Sequence, residues 1–215
     1  MLEIQLTDEI GIFPKKTLEL DEGITVLIGC NGSGKSTLLH EIRDVFEGDK
    51  DYVFLGFDNE HEGGIHELGH RLFRMGASEA GSFLLSSEGE RIYATLAGFI
   101  AKLGSTLEKE PKGKPAIITM DAVDSGFSLD NIIELRHFFE DLINEFQAGR
   151  KLYIVIASNA FATCKGAYSI DVTTFQEHYL VDYNDFERII MESRERKDER
   201  NKKTRKNKRD RRSHK

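Results

Sequence analysis

The chain has 215 residues, of which 39% are hydrophobic and 31% charged, enough for one domain with a small appendage. No apolar run approaches the roughly 20 residues of a membrane span, the start Met1-Leu2-Glu3-Ile4-Gln5 has no basic region or signal core, and Cys30 and Cys164 make no disulfide framework, so membrane insertion is excluded and a cytoplasmic chain is expected. The net charge of −7 hides a split, because residues 194–215 hold 13 Lys or Arg against 4 Asp or Glu, a net of +9, and the rest of the chain carries −16.

Taken in order, residues 2–6, 9–13 and 17–20 read as short strands, with Pro14-Lys15-Lys16 as a turn, and together predict an antiparallel flank. Phe13, Lys15 and Lys16 are either contacts for a nucleotide base or a core aromatic beside a solvated turn. The β-branched run Ile24-Thr25-Val26-Leu27-Ile28 predicts a buried strand. It leads into Gly29-Cys30-Asn31-Gly32-Ser33-Gly34-Lys35-Ser36-Thr37, a complete G-x-x-x-x-G-K-[ST]. Leu38, Leu39, Ile42, Val45 and Phe46 then recur at helical spacing.

The motif therefore sits between a strand and a helix N-terminus, where its chemistry needs it. Glycines let backbone N–H groups turn onto a polyphosphate without a Cβ in the way. The helix dipole adds partial positive charge at the same place. Lys35 is positioned for the β- and γ-phosphates of ATP and Ser36 for Mg²⁺.

Tyr52 to Phe57 predicts a second strand. His66-Glu67-Leu68-Gly69-His70 spells H-E-x-x-H, which on a helix puts two zinc ligands beside a glutamate base. Phe73 and Gly76 stand where the extended zinc motif has its glycine and third histidine, so a polar helix face is the reading kept. Ser87 and Glu90 form a capping box ahead of a helix carrying Ile92, Leu96, Phe99, Ile100, Leu103 and Leu107. The alternative reading of that helix start is a second anion site, with Ser87 and the exposed N–H groups binding phosphate.

Ala116 to Asp121 is an apolar strand ending in an acid, expected beside the phosphate-loop strand with Asp121 on Mg²⁺. Ser128 caps a helix through Ile132, Leu135, Phe139, Leu142, Ile143 and Phe146. Leu152 to Ala157 is another buried strand, followed by Ser158-Asn159. Residues 168–172 and 175–181 read as two further strands, and a helix starting at Asp182 turns wholly charged after Met191. Strands alternating with helices predict an α/β P-loop NTPase with a mainly parallel sheet flanked by helices.

Gly29 to Thr37, Ser86 to Arg91, Asp121 to Ser128 and Ser158-Asn159 resemble, in this order, the motifs of the ABC-type ATPases, the class of transporter engines and SMC-like DNA-repair heads. Ser87-Glu88-Gly89-Glu90 looks like the signature, with Glu88 in place of its first glycine. The resemblance covers about residues 1–190, as an ATP-binding domain of 1–193 followed by a basic tail, 194–215, helical or disordered. It implies two chains sandwiching two ATPs. Gly29, Asn31, Gly32, Ser33, Gly34, Lys35, Ser36 and Thr37 of one chain hold a nucleotide, and Ser87 and Gly89 of the other complete its pocket.

Three departures bear on hydrolysis. The family's catalytic glutamate place is Ala122, its switch-histidine place is Asn159, and no Gln occurs between Gln5 and Gln147 for its mobile loop, where Asp58 or Asn59 are the stand-ins. Asn159 donates to phosphate oxygen without carrying charge. Asp124 is the remaining candidate for positioning water. Lys35, Asp121, Asp124 and Asn159 are therefore the candidate catalytic set, with Ser36 and Asp121 on the metal. The 51 residues between Lys35 and Ser87 cannot hold a long coiled coil, so the chain resembles a minimal stand-alone member of phage or mobile-element type. ATP binding with slow hydrolysis is expected, in DNA metabolism, repair or mobile-element conflict. The alternatives are a transporter subunit or a regulatory module. The basic tail, without aromatics, suits phosphate contact with nucleic acid rather than base readout.

Overall fold

The structure is a computed structural model that describes residues 1–9, 11–58, 88–124, 128–146 and 149–213, with the backbone alone for 88–95, 97 and 204–213. Strands β1 (Leu2–Gln5) and β2 (Thr17–Leu20) pair antiparallel as a separate ribbon, Leu2 opposite Leu20. The main sheet takes β3 (Gly23–Ile28), β4 (Val53–Asp58), β5 (Ala116–Asp121), β6 (Leu152–Ala157), β7 (Tyr168–Asp171) and β8 (Gln176–Tyr179) in the order β4-β5-β6-β3-β7-β8. Its pairs are parallel except β7 with β8, a hairpin at the edge. β5 and β6 are buried almost end to end, the pattern of strands covered on both faces.

Helix α1 (Lys35–Phe46) covers one face. Its Leu38, Leu39, Ile42 and Phe46 pack on Leu27, Ile117 and Val155, with Ile4, Leu18 and Leu20 of the ribbon completing that layer. Helices α2 (Glu88–Lys109) and α3 (Leu129–Phe146) cover the other. Leu103, Leu107, Phe139 and Leu142 meet Leu55, Ile118, Ile154 and Ile156 there. On that side the short α4 (Phe161–Cys164) and the apolar start of α5 (Tyr183–Ser213) bury Cys164, Phe186 and Ile189 against Val26 and Ile28. Alternation along β3 decides this: Leu27 faces α1 and its neighbours Val26 and Ile28 face α5. The fold is α/β, a mainly parallel sheet flanked by helices with a separate antiparallel N-terminal flank. Among the described residues no helix is long and apolar enough to cross a membrane.

Two expectations change. Among the described residues, 9 and 11–13 form no strand. Asp8 sits at φ 41, and its carboxylate accepts from the amides of Ile12 and Phe13, at 2.8 and 3.3 Å, so these amides have a side-chain partner instead of a ladder. The strand bearing Asp121 does not lie beside the phosphate-loop strand. β6 pairs with both β5 and β3, in between. The charged segment is helical, one of the two states expected for it: α5 passes residue 194 without a break, and Lys197 and Arg200 still contact the rest of the chain. The H-E-x-x-H of His66 to His70 lies outside the described residues.

Candidate functional site

The carboxyl ends of β3, β5 and β6 open on one cavity of about 790 Å³, the usual place for a ligand in such sheets. The phosphate loop forms its floor. Gly29, at φ 143, is held close to Ser33; a Cβ there would lie 2.7 Å from the Ser33 hydroxyl oxygen. Gly34, at φ 121, is the N-cap of α1 and offers no capping side chain, and α1 has no acid in its first turn. The helix N–H groups therefore await an acceptor from outside.

Lys35 is only 8% exposed and folds back over the loop. Its Nζ donates to the Gly29 carbonyl at 2.7 Å, to the Cys30 carbonyl at 3.4 Å and to Asn159 Oδ1 at 2.8 Å. Burial lowers its pKa from the ordinary lysine value, against the pull of Cys30, Asp124 and Asp121. Asn159 is placed by the strand between the two motif strands. The Ser158 hydroxyl donates to Thr163 Oγ1 at 2.9 Å and accepts from the Ala160 amide at 3.0 Å, which fixes the turn into α4. The Asn159 amide donates to Asp124 Oδ2 at 2.6 Å. A chain Lys35–Asn159–Asp124 thus crosses the cavity, linking three of the four candidate catalytic groups. The fourth, Asp121, lines the same cavity, with Ala122 beside it at φ 51.

Of the remaining candidates, Asn31, Gly32, Gly34, Ser36 and Thr37 line the cavity. Gly29 and Ser33 stand behind it, and the Ser33 hydroxyl is buried without a partner. Gly89 is the second residue of α2, and Ser87 lies outside the described residues. Phe13 is a core aromatic stacked on Phe175 at 5.7 Å, while Lys15 and Lys16 are exposed. The Cys164 thiol, pushed up to about 12 chiefly by burial, stays protonated under β3.

Sequence reasoning missed the contribution of α5. Ser193 Oγ accepts from the Cys30 amide at 2.7 Å, Lys197 donates to the Asn31 carbonyl at 2.9 Å, and Arg200 lines the cavity itself. The readable signal was spacing: Phe186, Ile189, Ser193, Arg196, Lys197 and Arg200 fall on one helical stripe although its character changes from apolar to basic.

The cavity's groups fit a nucleotide with magnesium: an uncapped helix start, a buried lysine, and oxygen donors on Ser36 and Asp121 of the kind a hard cation takes. Among the described residues no cluster of three or more His, Cys, Asp or Glu would hold a metal by itself.

No family model matches the chain, and no curated protein matches it. Among solved structures, Stu0660 of Streptococcus thermophilus aligns over 80% of this chain and 75% of its own, at 11% identity and a TM-score of 0.43. Cdc6p from Pyrobaculum aerophilum aligns over 69% of this chain and 38% of its own, at 14% identity and a TM-score of 0.36. Neither likeness bears on activity.

Proposed function

We propose that the chain is an ATP-binding ATPase of ABC type that pairs with a second copy around ATP and hydrolyses it slowly. One observation carries this: Lys35, Asn159, Asp124 and Asp121, from three different segments, converge on the cavity at the uncapped start of α1. Lys35 and the loop amides bind the phosphates. Ser36 and Asp121 would hold Mg²⁺, which would offset the charge of the phosphates. The start of α2, with Ser87 and Gly89, is the second anion site, and a second copy brings it to the nucleotide. Chromatographic sizing with and without ATP and Mg²⁺ tests the pairing; a chain that stays monomeric at saturating ATP refutes it.

Slow turnover follows from Ala122, which lines the cavity where the resemblance places a glutamate. The purified protein is expected to turn over more slowly than the ~1–100 s⁻¹ common in phosphoryl transfer. Asp124 has one carboxylate oxygen on the Asn159 amide and therefore orients the residue that holds Lys35. Asp124→Ala should lower the hydrolysis rate by about a hundredfold, with ATP affinity changed only a few-fold. An unchanged rate removes Asp124 from the mechanism.

The basic segment serves nucleic acid in this reading. Residues 201–215 hold 9 Lys or Arg and 1 acid, beyond the part of α5 docked on the phosphate loop. Deleting 201–215 should weaken DNA binding and flatten its dependence on salt, since fewer counterions are released. Binding with an unaltered salt slope would clear the segment of that role.

A further inference from the structure

Ser193, Arg196, Lys197 and Arg200 bring α5 across the back of the phosphate loop, and each has a defined partner. The Ser193 hydroxyl accepts from the Cys30 amide and donates to the Ile190 carbonyl at 2.9 Å. Arg196 pairs with the buried Asp171 at 2.8 Å. Lys197 donates to the Asn31 carbonyl at 2.9 Å. Arg200, half-buried, donates from Nη1 to the Ile12 carbonyl at 2.6 Å and from Nη2 to the Ser33 carbonyl at 3.4 Å. Its side chain shares the cavity wall with Gly32, Gly34 and Lys35.

We propose that Arg200 is a phosphate-binding residue of the nucleotide site, supplied by the chain's own C-terminal helix and acting alongside Lys35. The proposal rests on the ATP-binding reading above. The bond to Ser33 is long for a hydrogen bond. A guanidinium–phosphate bond is charge-assisted and about twice as strong as one to a neutral carbonyl, so exchanging the Ser33 oxygen for a phosphate oxygen is favourable. Arg200 is already held in place, because Ser193 and Arg196 anchor the two preceding turns of the helix. Little side-chain freedom remains to be lost on binding.

The same stripe acts on the loop's peptides. In a trans peptide the C=O and the following N–H point in opposite directions. Lys197 at the Asn31 carbonyl therefore polarises the peptide whose N–H group belongs to Gly32. Gly32 lines the cavity, so this cation sharpens a donor that an anion meets there. Arg200 also corrects the charge balance, since Asp121 and Asp124 otherwise face Lys35 in a cavity meant for a polyanion.

The test is calorimetric titration of the full chain with ATP, and with adenosine by competition, for wild type, Arg200→Ala, Arg200→Lys, Lys35→Ala and Arg188→Ala. Arg188 is an exposed arginine on α5, paired with Asp185 and Glu192, and controls for loss of one positive charge. Arg200→Ala should weaken ATP by about tenfold to a hundredfold while adenosine is unchanged. Arg200→Lys should recover part of the loss, and Arg188→Ala should match wild type. Equal losses for ATP and adenosine would reduce Arg200 to a structural brace and overturn the proposal. So would wild-type ATP affinity in Arg200→Ala while Lys35→Ala binds poorly, an outcome that leaves the ATP-binding reading standing. A wild-type chain that binds no ATP sinks both.

Discussion

Lys35→Ala is expected to weaken ATP binding by about one to two orders of magnitude, the worth of a hydrogen bond to a charged group. Hydrolysis should fall further, by about 10²–10³, because the lost cation also meets charge developing on the transferred phosphate. The starting geometry explains why no neighbour compensates. The Lys35 ammonium is buried and shared between the Gly29 carbonyl and Asn159 Oδ1. Removing it leaves a hole at the floor of the cavity, and the Asn159 carbonyl oxygen loses its donor. Without bound ATP the pairing of two chains should disappear as well, so one variant reports on binding by calorimetry and on assembly by sizing. Retained affinity would contradict the role given to Lys35.

The lowered pKa of Lys35 gives this site a pH signature. Burial disfavours the ammonium in the empty protein, whereas bound phosphates favour it. ATP affinity should therefore fall as pH rises through the lowered pKa. The stability of the empty protein should move the other way: between the lowered native pKa and the ordinary lysine value, the unfolded chain binds more protons, so stability rises with pH. An affinity flat over that range would show that Lys35 does not meet the phosphates.

Asp171→Ala should be the most destabilising change near the site, by roughly 3 kcal/mol, the range for breaking a buried charge pair. Asp171 is 1% exposed at the end of β7. Its Oδ1 accepts from the Thr173 amide at 2.8 Å and the Thr173 hydroxyl at 2.7 Å, and its Oδ2 from Thr174 Oγ1 at 3.3 Å and Arg196 Nη1 at 2.8 Å. Alanine strands these donors at once and unfastens α5 from the sheet. Melting should drop by about 10 °C for a chain of this size. Arg196→Ala should cost less, because the Asp171 carboxylate keeps its threonine donors and the arginine was partly in solvent. Equal effects would mean that the ion pair, and not the threonine turn, carries the stability. Asp171→Ala should also weaken ATP indirectly, since Ser193 and Arg200 depend on the docked helix.

Helices and strands were largely legible because their signals are local. Ala116 to Asp121, mostly apolar and ending in an acid, and the apolar run Leu152 to Ala157 are the strands β5 and β6, residue for residue. The loop from Gly29 to Thr37 announces itself because only glycine takes the backbone angles at Gly29 and Gly34. Residues 9–13 misled for the converse reason. Ile12 and Phe13 look like strand residues, yet the carboxylate of Asp8 takes their amides, and a side-chain partner leaves no trace in hydropathy.

By itself, then, the sequence determined which segments are buried, where the glycine-rich loop turns into α1 and which acids and amides end the strands near it, since periodicity and glycine placement act over a few residues. Strand order is a long-range matter. That β6 lies between β3 and β5, bringing Asn159 onto both Lys35 and Asp124, was decided by sheet pairing across more than a hundred residues of chain. The docking of the charged C-terminal helix was decided in the same way. Its contacts include guanidinium and ammonium groups on the carbonyls of Ile12, Asn31 and Ser33, and a run of lysine and arginine reads alike whether it meets water or a buried backbone.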